Sequence, residues 1–245
     1  MNDFNIDNPC IIEETNDFAV VYKPPKMHCA PGVYGYTLFD WYTANSSRVY
    51  NIMHRLDYET HGLVLFARNE KSFLFFKDMQ DKGEFIKEYS ASCILNDSGV
   101  LPEGFPRFNS KPLCFDNLPL SIESYFRPFG PGRRQVRPVI DEGKKNKEIA
   151  KDKGNFYKTE IINKNDNNFT IRIKRGFRHQ IRCHLCWIGY PILNDPLYVK
   201  VYAKDGVAAV CSEDKQLILR SHALFFTNPE NGRQCEYRIP VFGQN

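Results

Sequence analysis

The segment Asn51-Ile-Met-His-Arg-Leu-Asp-Tyr-Glu-Thr-His-Gly-Leu63 holds the residue types from which chemistry can be built. Asp57 follows Arg55 by two positions, and the chain then enters the apolar run Gly62-Leu-Val-Leu-Phe-Ala67. A carboxylate at the lip of a buried strand, beside a basic side chain, suits nucleophilic or acid–base work. The same aspartate also suits a plain turn cap with Arg55 solvated. A second stretch, Gly176-Phe-Arg-His-Gln-Ile-Arg-Cys-His-Leu-Cys-Trp-Ile-Gly189, bears on that choice. At about 100° per residue, Ile181, Leu185 and Ile188 share one helix face, and Arg182 sits at its flank, roughly 60–120° away. A buried arginine stays charged and needs a carboxylate or phosphate, unless it snorkels outward. Asp57 is the leading candidate partner.

Those residues need a scaffold, and 245 residues with 42% hydrophobic content can bury a substantial core. The net charge of +4 is unevenly spread. Between Arg127 and Arg182 there are 16 lysines and arginines against 6 acidic residues, so the rest of the chain is acidic. A basic middle points either to a polyanion such as nucleic acid or to a solvated face. The eight cysteines, preceded by an acidic, polar start and no apolar leader, read as reduced thiols; a cytoplasmic location is expected. Cys183-His-Leu-Cys186 has no second ligand pair at matching spacing, so no metal is expected. No apolar run reaches the length of a membrane span.

The patterning predicts strands at Phe18–Tyr22, Gly62–Ala67, Glu84–Leu95, Ile122–Phe126, Gln135–Ile140, Phe156–Ile162, Phe169–Lys174, Leu217–Thr227 and Cys235–Ile239. Helices are predicted over Thr37–Ser46, after an Asn69 cap up to Gly83, and over about Arg178–Ile188. The run 97–118 reads as loop, and the lysine-rich 141–154 as an exposed excursion. Mostly antiparallel strands with interspersed helices give an α+β class: one domain over residues 10–242 on a large mixed, mainly antiparallel sheet with flanking helices. Residues 1–9 read as a short tail.

Three ordered motifs now carry a resemblance. His54-Arg-Leu-Asp57 with Thr60 and Gly62-Leu63, then Lys87-Glu-Tyr89-Ser-Ala91, then His179-Gln-Ile-Arg182-x-His184-Leu185 with Gly189, Pro191-Ile192, Asp195-Pro196 and Tyr198, resemble RluA-type pseudouridine synthases. Lys23-Pro24 and Leu219–Pro229 fit in order. Against this resemblance, residues 1–9 are expected to be too few for an appended RNA-binding domain. The resemblance implies that Asp57 is the nucleophile that attacks the target uridine nucleotide, letting the base detach, rotate and reattach through C5. It implies that Tyr89 stacks on the uracil and is a candidate for proton abstraction. Arg182 is implied to pair with the catalytic aspartate, and Arg55 to fill the space left by the flipped nucleotide. A carboxylate nucleophile must be ionised, which a neighbouring guanidinium favours, and a flipped base needs an aromatic platform and a wedge. The sequence departs from the family pattern at His61, where Ser is usual, at Phe177 and Arg178, and at Asn194, where Gly is common.

The Gly/Pro turn in Arg127-Pro-Phe-Gly-Pro-Gly-Arg-Arg-Gln-Val-Arg137 would aim guanidiniums at a backbone, so Arg133, Arg134 and Arg137, with Arg178, are candidate RNA-binding residues. Lys144, Lys145 and Lys147 are weaker candidates. His54 and His179 read as local structural groups; His28, His184 and His222 as ordinary ones. The expectation is an RNA pseudouridine synthase acting on a tRNA or rRNA uridine, monomeric, with no cofactor, no membrane and no obligate protein partner. A catalytically silent RNA-binding module is the competing reading. A glycoside- or nucleotide-hydrolysing enzyme would need a second carboxylate, for which only Glu59 is near.

Overall fold

The computed structural model describes residues 7–32, 35–96, 101, 103–107, 115–140, 156–199 and 215–241. The lysine candidates at 144, 145 and 147 lie outside these residues. In chain order the elements begin with β1 (Cys10–Glu14), β2 (Phe18–Lys23), α1 (Leu38–Asn45), β3 (Asn51–Ile52), β4 (His61–Ala67), α2 (Glu70–Lys82) and β5 (Ile86–Ser92). There follow β6 (Leu120–Phe129), β7 (Gln135–Val139), β8 (Tyr157–Asn165), β9 (Asn168–Ile173), α3 (Gln180–Trp187), β10 (Leu219–Thr227) and β11 (Gln234–Arg238). The α+β class holds: the sheets are mixed and mainly antiparallel, with helices set beside them. The chain packs as two compact units, Met1–Tyr89 with Leu219–Asn245, and Ser90–Ile218.

In the first unit β4 is fully buried, residue by residue. Its unbroken apolar run suits a strand covered on both faces. It pairs antiparallel with β2, setting Val20 against Leu65 and Lys23 against Gly62, and parallel with β10, setting Ser221 against Gly62. Around it Phe18, Phe76, Phe85 and Phe226 form the core, with Phe18 edge-on to Phe226 at 5.2 Å between centroids. The helix α2 begins as expected, the Asn69 side chain accepting from the Ser72 amide, and ends at Gly83 with φ 71°. At α1, Thr37 and Asp40 form a capping box, each side chain accepting from the other's amide. The short β1 and β3 go beyond the sequence-based prediction: β3 spans two residues, and β1, Cys-Ile-Ile-Glu-Glu, groups its apolar residues without alternation.

In the second unit β6 pairs antiparallel with β8 on one side and with β7 on the other. The β8–β9 connection is tighter than the predicted loop over 163–168. Both strands continue to a turn at Asp166 and Asn167, where Asp166 adopts φ 50°. Aspartate tolerates that left-handed backbone better than most residues, so the hairpin expected between these strands closes on two residues. All eight residues of α3 are buried. The helix is therefore a core helix rather than one with a solvated face, and Arg182 does not snorkel.

Candidate active site

Asp57 opens a tight turn in which the Thr60 amide donates to the Asp57 carbonyl at 3.1 Å. The turn is laced to the end of β2 from both sides. Lys23 Nζ, fully buried, donates to the carbonyls of Pro24 (2.8 Å), Met27 (2.8 Å) and Tyr58 (3.3 Å). The Leu56 amide donates to Cys29 Sγ at 3.1 Å, and the thiol faces the Leu56 carbonyl at 3.4 Å. Burial pushes the Lys23 ammonium down to about 8, against the opposing pull of Cys29, Asp57 and Glu59. At neutral pH it therefore remains a cation beside the Asp57 turn. The sequence reading holds Lys23 only as part of a matched dipeptide; a lysine closing the otherwise apolar strand Phe18-Ala-Val-Val-Tyr-Lys23 is the signal that marks it.

Tyr89, on β5, is buried and shares a side-chain hydrogen bond with Ser221. Burial first, and the charge of Asp57 next, push its phenol well up from the ordinary tyrosine range. The two predicted residues thus act on each other electrostatically within one unit. Ser221 Oγ donates in turn to the Leu63 carbonyl at 3.2 Å. Gly62 makes that approach of β4 to β10 attainable: its φ is +125°, and a Cβ there would lie 2.2 Å from the Ser221 carbonyl oxygen. His61, where the family has Ser, is fully buried and its Nε2 accepts from Arg220 Nε at 2.9 Å. Burial, then Arg220 and Lys23, push its imidazole down to about 3. His54 does hold local structure: Nε2 accepts from the Leu65 amide at 3.2 Å, and burial together with Lys87 keeps the ring neutral. Arg55 is exposed.

In the second unit Arg182 is 2% exposed and grips Asp195 with two nitrogens, Nε to Oδ2 at 2.7 Å and Nη2 to Oδ1 at 2.8 Å. Asp195 Oδ1 also accepts from the Leu197 (2.9 Å) and Tyr198 (3.1 Å) amides. Burial alone would raise the Asp195 carboxyl, but Arg182 and those amides hold it below its usual range. Asp195, which the sequence reading carries only as a motif tail, is thus one anion that the buried arginine meets. Asn194, in the position where Gly is common, adopts φ 61°, a conformation that asparagine tolerates. His184 is buried and satisfied by Ser124 (2.9 Å) and Thr159 (2.8 Å), as its ordinary reading expects.

The candidate RNA-binding arginines divide. Arg133 and Arg134 are exposed at the β6–β7 tip, where Arg133 adopts φ 54°. Arg178 is exposed and braces this tip, its Nη2 donating to the Arg133 (2.5 Å) and Gln135 (3.3 Å) carbonyls. Arg137 is a correction. It is 2% exposed, lies over the rings of Phe129 (4.0 Å) and Phe105 (4.5 Å), and donates to the Glu103 carbonyl at 2.7 Å. In register it faces Arg127 across β6–β7, but its side chain turns inward, so its fork is not offered to a phosphate.

Residues 17–187 match the family model described as RNA pseudouridylate synthase. The chain belongs to this family. A relative from Caenorhabditis elegans, an uncharacterized protein, is 30% identical over 192 residues, covering 77% of this chain and 38% of its own length. The ribosomal large subunit pseudouridine synthase D of Buchnera aphidicola is 26% identical over 198 residues, covering 76% of this chain and 53% of that synthase. The chain thus spans about two fifths to one half of these relatives. Among solved structures, human RNA pseudouridylate synthase domain containing 1 superposes with a TM-score of 0.64 at 16% identity, over 98% of this chain and 86% of that one. That likeness shows the pseudouridine synthase fold. Among the described residues no helix is long and apolar enough to cross a membrane.

Proposed function

We propose that this chain isomerises a uridine of tRNA or rRNA to pseudouridine, with Asp57 as the nucleophile. The observation that carries the reading is the mutual placement of Asp57, Lys23 and Tyr89 in the first unit. A carboxylate on a pinned turn lies within electrostatic reach of a buried ammonium and a buried phenol. Asp57 attacks the nucleotide and the N1–C1′ bond breaks; the uracil turns, C5 bonds to C1′, the bond to Asp57 is released, and the proton lost from C5 is matched by one taken up at N1. Tyr89 enters as the stacking platform. Its phenol is held protonated by burial and by Asp57, which suits a neutral ring more than a standing base. Arg182 enters on its motif, with its guanidinium oriented by Asp195. Arg55 is free of burial and long enough to occupy a vacated stack.

The proposed substrate is a polyanion, matched by the exposed Arg133, Arg134 and Arg178. The Buchnera relative carries a ribosomal name, which supports rRNA as one of the two RNA classes. The free thiols at Cys10, Cys29, Cys93, Cys183, Cys186 and Cys235 support a reducing, cytoplasmic setting. The test is tritium release from RNA labelled at uridine C5. Wild-type protein should release label and Asp57→Ala should release none while still binding RNA. Label release by Asp57→Ala at the wild-type rate would overturn the assignment.

A further inference from the structure

We infer that His28 and Tyr58 form a second aromatic platform, outside the residues assigned above, that takes an unpaired base next to the target nucleotide. The inference rests on the proposed reading of the Asp57 site. Tyr58 follows Asp57 directly and is 43% exposed, and its ring lies 4.7 Å from the half-buried His28 ring at a tilt of 40°. An exposed tyrosine alone means little, since single apolar side chains on a surface are ordinary. What distinguishes this one is how firmly its backbone is held. Lys23 Nζ binds the carbonyls of Met27 and Tyr58, so one buried cation ties together the segments that carry the two rings. Cys29, next to His28, contacts both backbone groups of Leu56. The His28 and Cys29 carbonyls accept from the Leu38 (2.8 Å) and Phe39 (3.0 Å) amides at the start of α1.

The backbones that carry the two rings are thus fixed and the rings already lie together, so less order has to be gained on binding a base. Their chemistry fits a nucleobase: two flat, uncharged or weakly basic π-systems, with the exposed cations Arg55 and Lys26 in the same two segments for the flanking phosphates. The platform reads no base edge, so it accepts any of the four bases. Its requirement is an unstacked neighbour, which an enzyme that extracts a uridine from its stack necessarily creates.

The test is a binding cycle that needs no turnover. The probe is a short single-stranded RNA with one central uridine between adenosines, and its copies with an abasic site immediately before or after the uridine. Wild-type protein should bind the intact strand about 5- to 150-fold more tightly than one of the abasic copies, the range for one stacked base. Tyr58→Ala should bind the intact and abasic strands alike, and Tyr58→Phe should restore the difference. Thermal unfolding of both variants should stay close to wild type, since the residue is surface-exposed and the group that Lys23 holds is its backbone carbonyl. Equal binding of intact and abasic strands by wild type, or a Tyr58→Ala protein that still discriminates, would overturn the platform. If discrimination follows Tyr58 but no tritium is released from any RNA, the isomerase reading fails and the platform stands. If tritium is released without discrimination, the reverse holds.

Discussion

Arg182 and Asp195 meet as a two-pronged ion pair, 2.7 Å and 2.8 Å, with side chains 3% and 0% exposed. Two more amides close on the same carboxylate, so the pair is satisfied on both sides. Such a pair is a modest source of stability but a costly one to halve, because two charge-assisted hydrogen bonds and the local charge balance are lost together. Asp195→Ala should lower unfolding stability by about 3–5 kcal/mol in urea titrations. Asp195→Asn, which keeps the shape and one acceptor, should cost less than Asp195→Ala. Equal stability of Asp195→Ala and wild type would show that the guanidinium has another sufficient anchor.

The buried histidines set the response to acid. His61 is held near 3, below the ordinary imidazole value of about 6.5. Below pH about 6.5 the unfolded imidazole takes up a proton that the folded one refuses, so stability falls as pH falls. The slope is at most about 1.4 kcal/mol per pH unit for each such group, until the folded value is reached. His61→Asn retains an acceptor for Arg220 but cannot titrate. Between pH 6.5 and 4.5 wild type should lose about 2 kcal/mol relative to His61→Asn. Parallel stability curves in that interval would place the titration elsewhere.

The division among the arginines has a direct readout in salt. Arg133 and Arg134 point into solvent, so replacing both by Ala should weaken RNA binding. The logarithmic salt slope should shrink by about 1.4–1.8 if each neutralises one phosphate. Arg137→Ala should leave that slope unchanged. Its loss should appear in unfolding instead, by about 1–3 kcal/mol, as the contacts to Phe105, Phe129 and the Glu103 carbonyl disappear. A reduced salt slope for Arg137→Ala would reverse the correction.

Much of the architecture was legible because it is local. Asn69 and Gly83 mark the ends of α2 by capping chemistry, and the unbroken apolar runs of β2 and β4 mark strands covered on both faces. The Asp57, Tyr89 and Arg182 motifs could be found by type and order. What escaped is held by long-range contacts. Nothing near Arg137 in sequence shows that Phe105, from a stretch read only as loop, will roof its guanidinium. Nothing near Asp57 shows that Lys23 and Cys29 will lace its turn. Asp195 is thirteen positions from Arg182, past a helix end, and periodicity on one helix cannot reach it. The uneven charge along the chain is likewise a poor map of the surface, since Arg137 and Arg182 belong to the basic stretch yet lie inside.

Cys29 gives the Asp57 turn a clock. Burial pushes its thiol up, and its sulfur is engaged with both backbone groups of Leu56. Only the thiolate reacts quickly with alkylating reagents, and here it forms only when the turn parts from the end of β2. The rate at which Cys29 is alkylated therefore reports the rate, or the equilibrium fraction, at which the Asp57 turn opens. A substrate RNA that settles on this loop should slow that chemistry at a sulfur it never touches.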